Sequence, residues 1–304
     1  LKYCIAVAEF RNFTSAAKHV YVTQPTLSMQ IQKLEQELDL KIFDRTQKPI
    51  GLTAVGEKII QQAHLIVAES DRIQDVIQQE KGVIGGNFKL GIIPTVMSTL
   101  LPLFLQTVLK AYPKLIFEIE EMPTQQIIEN LEKGTLDAGI AATPLDYDHI
   151  MEKPLYYEPF MVFAPKHSEL NKEKKINASM LKNEKVLILK DGHCFRNSAL
   201  NICKIKHEVP LPFEIKSGNF ETLVHLSEEG LGITLLPYLY ARKLSDRQQV
   251  NLKSFESPEP AREVSIIYHQ RKLKMHIIEA LHDKIRAIIR GAIIYDDIKI
   301  ISPK

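Results

Sequence analysis

From Glu57 to Lys81 the chain contains neither glycine nor proline, and no other interval constrains its fold as much. A helix over that interval is about 37 Å long at the α-helical rise. Within it Ile59, Ala63, Ile66, Ser70, Ile73 and Ile77 alternate in steps of four and three, the spacing of a heptad seam. A long helix with such a seam buries it on a partner, so residues 58–82 read as a linker that joins two copies of the chain. Packing within its own chain is the alternative. Gly82 to Asn87, with Gly85-Gly86, marks a break after the helix, and the chain changes character there.

Ahead of the linker the signals are helical. Thr14 can cap a short helix through Ser15, Ala16, Ala17 and Lys18, and His19-Val20-Tyr21-Val22 makes a tight turn. Thr23 is a second N-cap with Pro25 in the first helical turn, where a missing N–H costs nothing. Leu27, Ile31, Leu34 and Leu38 form one apolar face. The opposite face carries Gln24, Thr26, Ser28, Met29, Gln30 and Lys33, short polar groups suited to base edges and phosphates in a major groove. An ordinary solvated face is the bland reading. Phe43 to Pro49 then looks like a strand-turn wing, with Arg45 and Lys48 placed for backbone phosphates. Charge does not carry this reading, because residues 1–57 hold seven Lys/Arg against six Asp/Glu and the whole chain is only +2. Residues 1–57 are read as a winged helix-turn-helix.

After Asn87 strands and helices alternate. Phe88 to Ile93 is a strand ending in Pro94-Thr95, which opens a helix. Leu115 to Ile119, Thr124 to Lys133 and Leu136 to Ala141 continue as strand, helix and strand. A second unit starts near Phe160, includes Val186 to Leu189 and Gly230 to Pro237, and the strand Val264 to Tyr268 returns to the first. Alternation of this kind implies parallel sheets covered on both faces. The expected architecture is a two-lobed α/β domain of the periplasmic-binding-protein type, with residues 87–159 and 264–304 as lobe I and 160–263 as lobe II. A cleft between the lobes is the natural ligand site. The segment from Ala292 to Lys304 has no assigned role.

The 304 residues hold three cysteines, too few for a disulfide framework. Cys194 and Cys203 sit close together, and Cys194 directly follows His193, so sulfur chemistry is expected there. Any disulfide would be transient, catalytic or sensory. Cys4 reads as core filler. No phosphate loop, paired zinc motif or Ser-His-Asp spacing occurs, so no metal, cofactor or enzyme activity is expected. No apolar run of membrane-spanning length and no leading signal segment is seen, which favours the cytoplasm.

Phe13-Thr14-Ser15-Ala16-Ala17, Val22-Thr23-Gln24-Pro25-Thr26-Leu27-Ser28, Gln30 to Glu35, Phe43-Asp44-Arg45-Thr46 and Leu52 to Gly56 together resemble the amino-terminal signature of LysR-type transcriptional regulators. The resemblance covers the whole order of segments and implies tetramers, built as dimers of dimers, that bind promoter DNA, with RNA polymerase as a further partner. At Met29 members of the family often carry arginine, so a different DNA half-site preference is expected. Gly91 to Thr95, Asp191-Gly192-His193-Cys194, Cys203 and Gly232 to Pro237 are similar to the peroxide-sensing members. By that resemblance Cys194 is the thiol that hydrogen peroxide attacks and Cys203 the one that resolves it, while Thr95, Thr124 and His193 line the pocket. Thr95 and Thr124 also read as plain helix caps. Where those members carry a pocket arginine after Val-Tyr, this chain is read with His269 after Tyr268 and Arg271 two positions later, as candidates for the missing charge.

Disulfide formation needs Cα atoms about 4.4–6.8 Å apart, whereas a helix over residues 195–203 spans about 13.5 Å. The segment must then unwind on oxidation. Two competing readings stand beside this one: a regulator whose cleft binds a small metabolite, with incidental cysteines, and a thiol peroxidase, which has no need of a winged helix and linker.

Overall fold

The computed structural model describes residues 1–80, 84–189, 194–203, 219–271, 274–293 and 298–303. The chain divides into two compact units, one comprising residues 1–83 and the other nearly all of 84–304.

The first unit contains α1 (Lys2–Phe10), α2 (Phe13–His19), α3 (Gln24–Glu37), a wing of two antiparallel strands, β1 (Phe43–Asp44) and β2 (Gly51–Leu52), and α4 (Ala54–Glu80). Cys4, Val7, Ala16, Ala17, Leu27, Ile31, Phe43 and Ile60 make its core. The cap of α2 is Asn12 rather than Thr14: Asn12 Oδ1 accepts from the N–H groups of Thr14 and Ser15 at 2.8 and 3.0 Å. Asparagine ranks above threonine as a cap and here lies directly before the first turn. Thr23 caps α3 as expected, accepting from Thr26 N at 3.4 Å, and Thr53 Oγ1 accepts from Gly56 N at 2.9 Å. A Cβ on Gly56 would meet the Ile42 carbonyl at 2.1 Å, so α4 starts against the wing only because that position is glycine. Leu38 departs from the expected buried face; it follows the last turn of α3 and is exposed.

Along α4 the seam divides. Ile59 is half-buried against the core of the unit and Ala63 is buried, whereas Ile66, Ile73 and Ile77 are 54%, 62% and 42% exposed.

The second unit follows as β3 (Gly85–Ile92), α5 (Pro94–Ala111), β4 (Lys114–Glu121), α6 (Thr124–Glu132), β5 (Ala138–Thr143), β6 (Ile150–Phe163), β7 (Lys175–Ile176), β8 (Val186–Leu187), α7 (Cys194–Cys203), α8 (Phe220–Glu228), β9 (Ile233–Pro237), α9 (Tyr238–Ala241), α10 (Asp246–Gln249), β10 (Leu252–Phe255), β11 (Glu259–His269), α11 (Met275–Arg290) and β12 (Ile298–Ile300). Strands β4, β3 and β5 are parallel neighbours, and β11 then lies between β5 and β6. Two cores result. One gathers Phe88, Leu90, Phe104, Ile140, Val264, Ile278 and Ile285; the other gathers Phe160, Phe163, Leu187, Phe195, Leu223 and Leu235.

Three expectations change. The sheets are mixed rather than parallel, because β6 carries the chain between the two cores, β11 carries it back, and the two pair antiparallel along nearly their whole length. Gly85 and Gly86 belong to β3, opposite Lys114 and Leu115 of β4, rather than to a loop. The tail also contributes structure: β12 pairs in parallel with the start of β11, and Ile293 is buried in the first core. Ile294 and Tyr295 lie outside the described residues. Among the described residues no helix is long and apolar enough to cross a membrane.

Candidate functional site

Helix α3 and its cap present Thr23, Gln24, Pro25, Thr26, Met29, Gln30 and Lys33 to solvent, with Ser28 half-buried. The order follows from the helical period, since Leu27 and Ile31 turn inward and their neighbours must turn out. Thr23 and Thr26 share a hydroxyl contact at 2.8 Å, which fixes the first turn. Lys48 is exposed at the wing. Arg45 is more committed than its sequence position implies. Its Nη2 lies 3.4 Å from Glu35 Oε2, its Nη1 donates to Ser28 Oγ at 3.4 Å, and its guanidinium lies over the Phe13 ring at 5.0 Å. It therefore ties the wing to α3.

In the second unit Thr95 and Thr124 follow the carboxyl ends of β3 and β4, neighbours that pair up to Ile92 opposite Glu121. Strand β3 lies between β4 and β5; its connection runs to β4 on one side, whereas the chain leaving β5 runs to β6 on the other. Crevices at such reversals are where open α/β sheets bind ligands. Thr95 is buried in the first turn of α5 and Thr124 is half-buried at the start of α6.

What stands against Thr95 is Arg262. Its side chain is 1% exposed. Nη1 donates to Thr95 Oγ1 at 3.0 Å and Nη2 to the Thr95 carbonyl at 3.1 Å. Nε and Nη2 donate to Glu158 Oε2 at 2.9 and 2.7 Å. Glu158 Oε1 accepts from Leu239 N at 2.8 Å. A buried ion pair is tolerable only when its remaining donors and acceptors are satisfied, and this one is. The cation also lies 5.3 Å from the centre of the Phe195 ring, which packs on Phe160 and Phe220. Phe195 is the second residue of α7, so the guanidinium touches both the Thr95 turn and the cysteine helix.

Helix α7 runs from Cys194 to Cys203, placing their Cα atoms about 13.5 Å apart. His193 lies outside the described residues, as do the side chains of both cysteines. Cys4 is buried in the core of the first unit, and burial pushes its thiol above the ordinary range, so it is protonated and unreactive at neutral pH.

His269 and Arg271 are not part of this arrangement. On β11 His269 pairs with Ile150, whereas Arg262 pairs with Glu158. Seven extended residues separate the two positions by about 23 Å. His269 Nδ1 instead accepts from Arg271 N at 3.2 Å, and Arg271 is exposed. The sequence reading missed Arg262, and no local signal singles it out: β11 also carries Glu259 and Glu263, and β6 carries Glu152 and Lys153 beside Glu158.

Glu279, His282 and Asp283 lie close enough to suggest a metal site. His282 Nε2 already faces the Pro154 carbonyl at 3.1 Å, Nδ1 faces Asp283 at 3.1 Å, and Glu279 is paired with Lys153. That group is satisfied without an ion.

Comparison with known proteins agrees with these features. The pattern of the "Bacterial regulatory helix-turn-helix protein, lysR family" matches residues 1–57, and that of the "LysR substrate binding domain" matches residues 81–289. The hydrogen peroxide-inducible genes activator of Pectobacterium carotovorum is 33% identical over 96% of this chain and 96% of its own length. The DNA-binding transcriptional dual regulator OxyR of Escherichia coli is 32% identical over 96% and 95%. The structure of a full-length OxyR variant from Pseudomonas aeruginosa superposes with a TM-score of 0.78 at 31% identity, covering 94% of this chain and 96% of that one. The chain belongs to the LysR family of DNA-binding bacterial transcriptional regulators.

Proposed function

We propose that this regulator senses hydrogen peroxide through reversible formation of a Cys194–Cys203 disulfide, acting in the cytoplasm on promoter DNA. It works as a homodimer joined through α4, and as a homotetramer when two such dimers pair; the bare Ile66, Ile73 and Ile77 side chains support the first contact. DNA is read by α3, with Lys48 at a phosphate, and RNA polymerase is the downstream partner. The reading is of a sensor rather than a turnover enzyme, and its domains are residues 1–57, 58–82, 87–159 with 264–304, and 160–263.

In the first step the Cys194 thiolate attacks one peroxide oxygen. The S–O bond forms, the O–O bond breaks, and the departing hydroxide takes up a proton. Sulfur is oxidised by two electrons to a sulfenic acid and peroxide is reduced to water. In the second step the Cys203 thiolate attacks the Cys194 sulfur. The S–S bond forms, the S–O bond breaks, and the hydroxide released takes the proton that Cys203 gave up. Two thiols and one peroxide give one disulfide and two waters.

A thiol of ordinary pKa, about 8.5, is mostly protonated at neutral pH, so the reaction needs a nearby cation, and Arg262 stands against α7 through the Phe195 ring. Thr95 Oγ1 accepts from Arg262, which leaves its own hydrogen to donate to a peroxide oxygen. His193 and Thr124 line the remainder of the pocket. The observation that carries the reading is that α7 extends from one cysteine to the other, so the disulfide and the intact helix exclude each other and oxidation must remodel the domain.

Promoter transcription with and without peroxide tests the reading. Cys194→Ser is expected to abolish the response, while Cys203→Ser halts the chemistry at the sulfenic acid. A full peroxide response in Cys194→Ser would contradict it.

A further inference from the structure

The carboxyl-terminal residues 298–303 bridge the strand that leads into Arg262 and the helix that bears the cysteines. On one side Ile298, Lys299 and Ile300 pair with Glu259, Pro260 and Ala261 of β11. Ile301 N donates to the Ala261 carbonyl at 2.8 Å, and the Ile301 side chain packs on the second core. On the other side the backbone carbonyls of Ser302 and Pro303 accept from α7. Asn197 Nδ2 reaches Pro303 O at 3.2 Å, Ser198 Oγ reaches Ser302 O at 3.4 Å, and Asn201 Nδ2 reaches Ser302 O at 3.5 Å. Positions i, i+1 and i+4 share a helix face only while the segment is helical. Phe195, Ala199 and Ile202 occupy another face and are buried in the core. Helix α7 is thus gripped by the core on one face and by the tail on another.

We propose that Asn197 and Asn201, acting through the tail at Ser302 and Pro303, are positioning residues for the thiol reaction: they hold α7 helical, keep Cys194 and Cys203 at opposite ends of it, and so set the rate of disulfide closure. This rests on the peroxide-sensing reading above. The tail does not act on the first step, the two-electron oxidation of Cys194 by peroxide. It opposes the second, in which Cys203 displaces hydroxide from the Cys194 sulfur, because that attack requires α7 to unwind and its three donors to leave the tail together. After closure the tail has lost the face it was docked on.

Two full-length variants test the proposal. Asn197→Ala/Asn201→Ala removes two donors while installing the residue with the highest helix propensity, so faster unwinding cannot be ascribed to a weaker intrinsic helix. Ile301→Pro removes the N–H that bonds Ala261 and leaves α7 unchanged. Rapid-quench reaction with stoichiometric peroxide separates the steps: the first is followed by dimedone trapping in the Cys203→Ser background, the second by loss of free thiol in the Cys203-containing chain. Closure is expected to accelerate about fivefold in each variant, as the loss of weak hydrogen bonds predicts, with the first step unchanged. Unchanged closure, or a first step that slows as well, would overturn the proposal. If the parent chain forms no Cys194–Cys203 disulfide, the peroxide reading fails by itself. Amide exchange across residues 197–203 of the reduced protein then decides the tail's role: faster exchange in both variants supports it and unchanged exchange overturns it.

Discussion

Glu35 in the first unit and Glu158 in the second are both buried carboxylates that face an arginine, yet they divide their hydrogen bonds differently. Glu35 Oε1 accepts from the backbone N–H groups of Ile42 and Phe43 at 2.8 and 3.2 Å. Its cationic partners stand further off, Arg45 at 3.4 Å and Lys41 at 3.9 Å, with side chains 41% and 70% exposed. Glu158 takes one backbone N–H, from Leu239, and otherwise holds Arg262 in the interior. The first carboxylate is an architectural joint between recognition helix and wing, with the arginine an accessory. The second exists to keep a cation where no water can screen it. A buried carboxylate satisfied by amides fixes a backbone; one satisfied by a guanidinium fixes a charge.

Breaking the interior pair is expected to have the largest effect. Arg262→Ala leaves Glu158 buried and uncompensated, at a cost of about 3–5 kcal/mol, readable by urea denaturation, and removes the cation beside α7, so alkylation of Cys194 at pH 7 should slow. An Arg262→Ala protein as stable and as thiol-reactive as its parent would erase the contrast. Removing Glu35 comes next. Glu35→Ala strands two backbone N–H groups, for about 2–4 kcal/mol, whereas Arg45→Ala removes a half-exposed partner and costs about 1 kcal/mol or less. If the two substitutions cost the same, Glu35 is held by its charge partner after all. The smallest effect belongs to the wing itself. Hydrogen bonds from the Thr46 hydroxyl and N–H and from Gln47 hold the Asp44 carboxyl below its ordinary pKa. Its contribution is therefore fully present above the unfolded value and lost as pH falls through the folded one. Titrating the Thr46 amide by NMR should report that transition below the ordinary aspartate value, and a transition above it would reverse the sign.

The same contrast explains what could be read from the sequence. Thr23 with Pro25, the inward positions Leu27 and Ile31 and the strand running into Pro94-Thr95 are all set by neighbours a few residues away, and local chemistry specifies them. Asn12 lay within reach of the same reasoning and was passed over for Thr14. Arg262 lies beyond it: its partners Glu158 and Thr95 reach it only when β6 and β11 pair and the first turn of α5 meets them, whereas His269, the sequence candidate, sits at the other end of the same strand. The tail escaped for a related reason. Ile298 to Ile300 is too short to announce a strand, and its role depends on an edge of β11 and a face of α7 that no local pattern reveals. The cysteine pair is legible as composition and spacing, while Arg262 is one of several charges on β6 and β11 and only the pairing of the two strands sets it apart.

The central claim is that peroxide joins two cysteines that the reduced helix holds apart. Peptide mapping by mass spectrometry after brief, near-stoichiometric peroxide treatment tests it most directly. The account predicts a single linked pair, Cys194 with Cys203, reversed by dithiothreitol, with Cys4 still a free thiol. Two unlinked peptides carrying intact thiols, or a disulfide that includes Cys4, would contradict it.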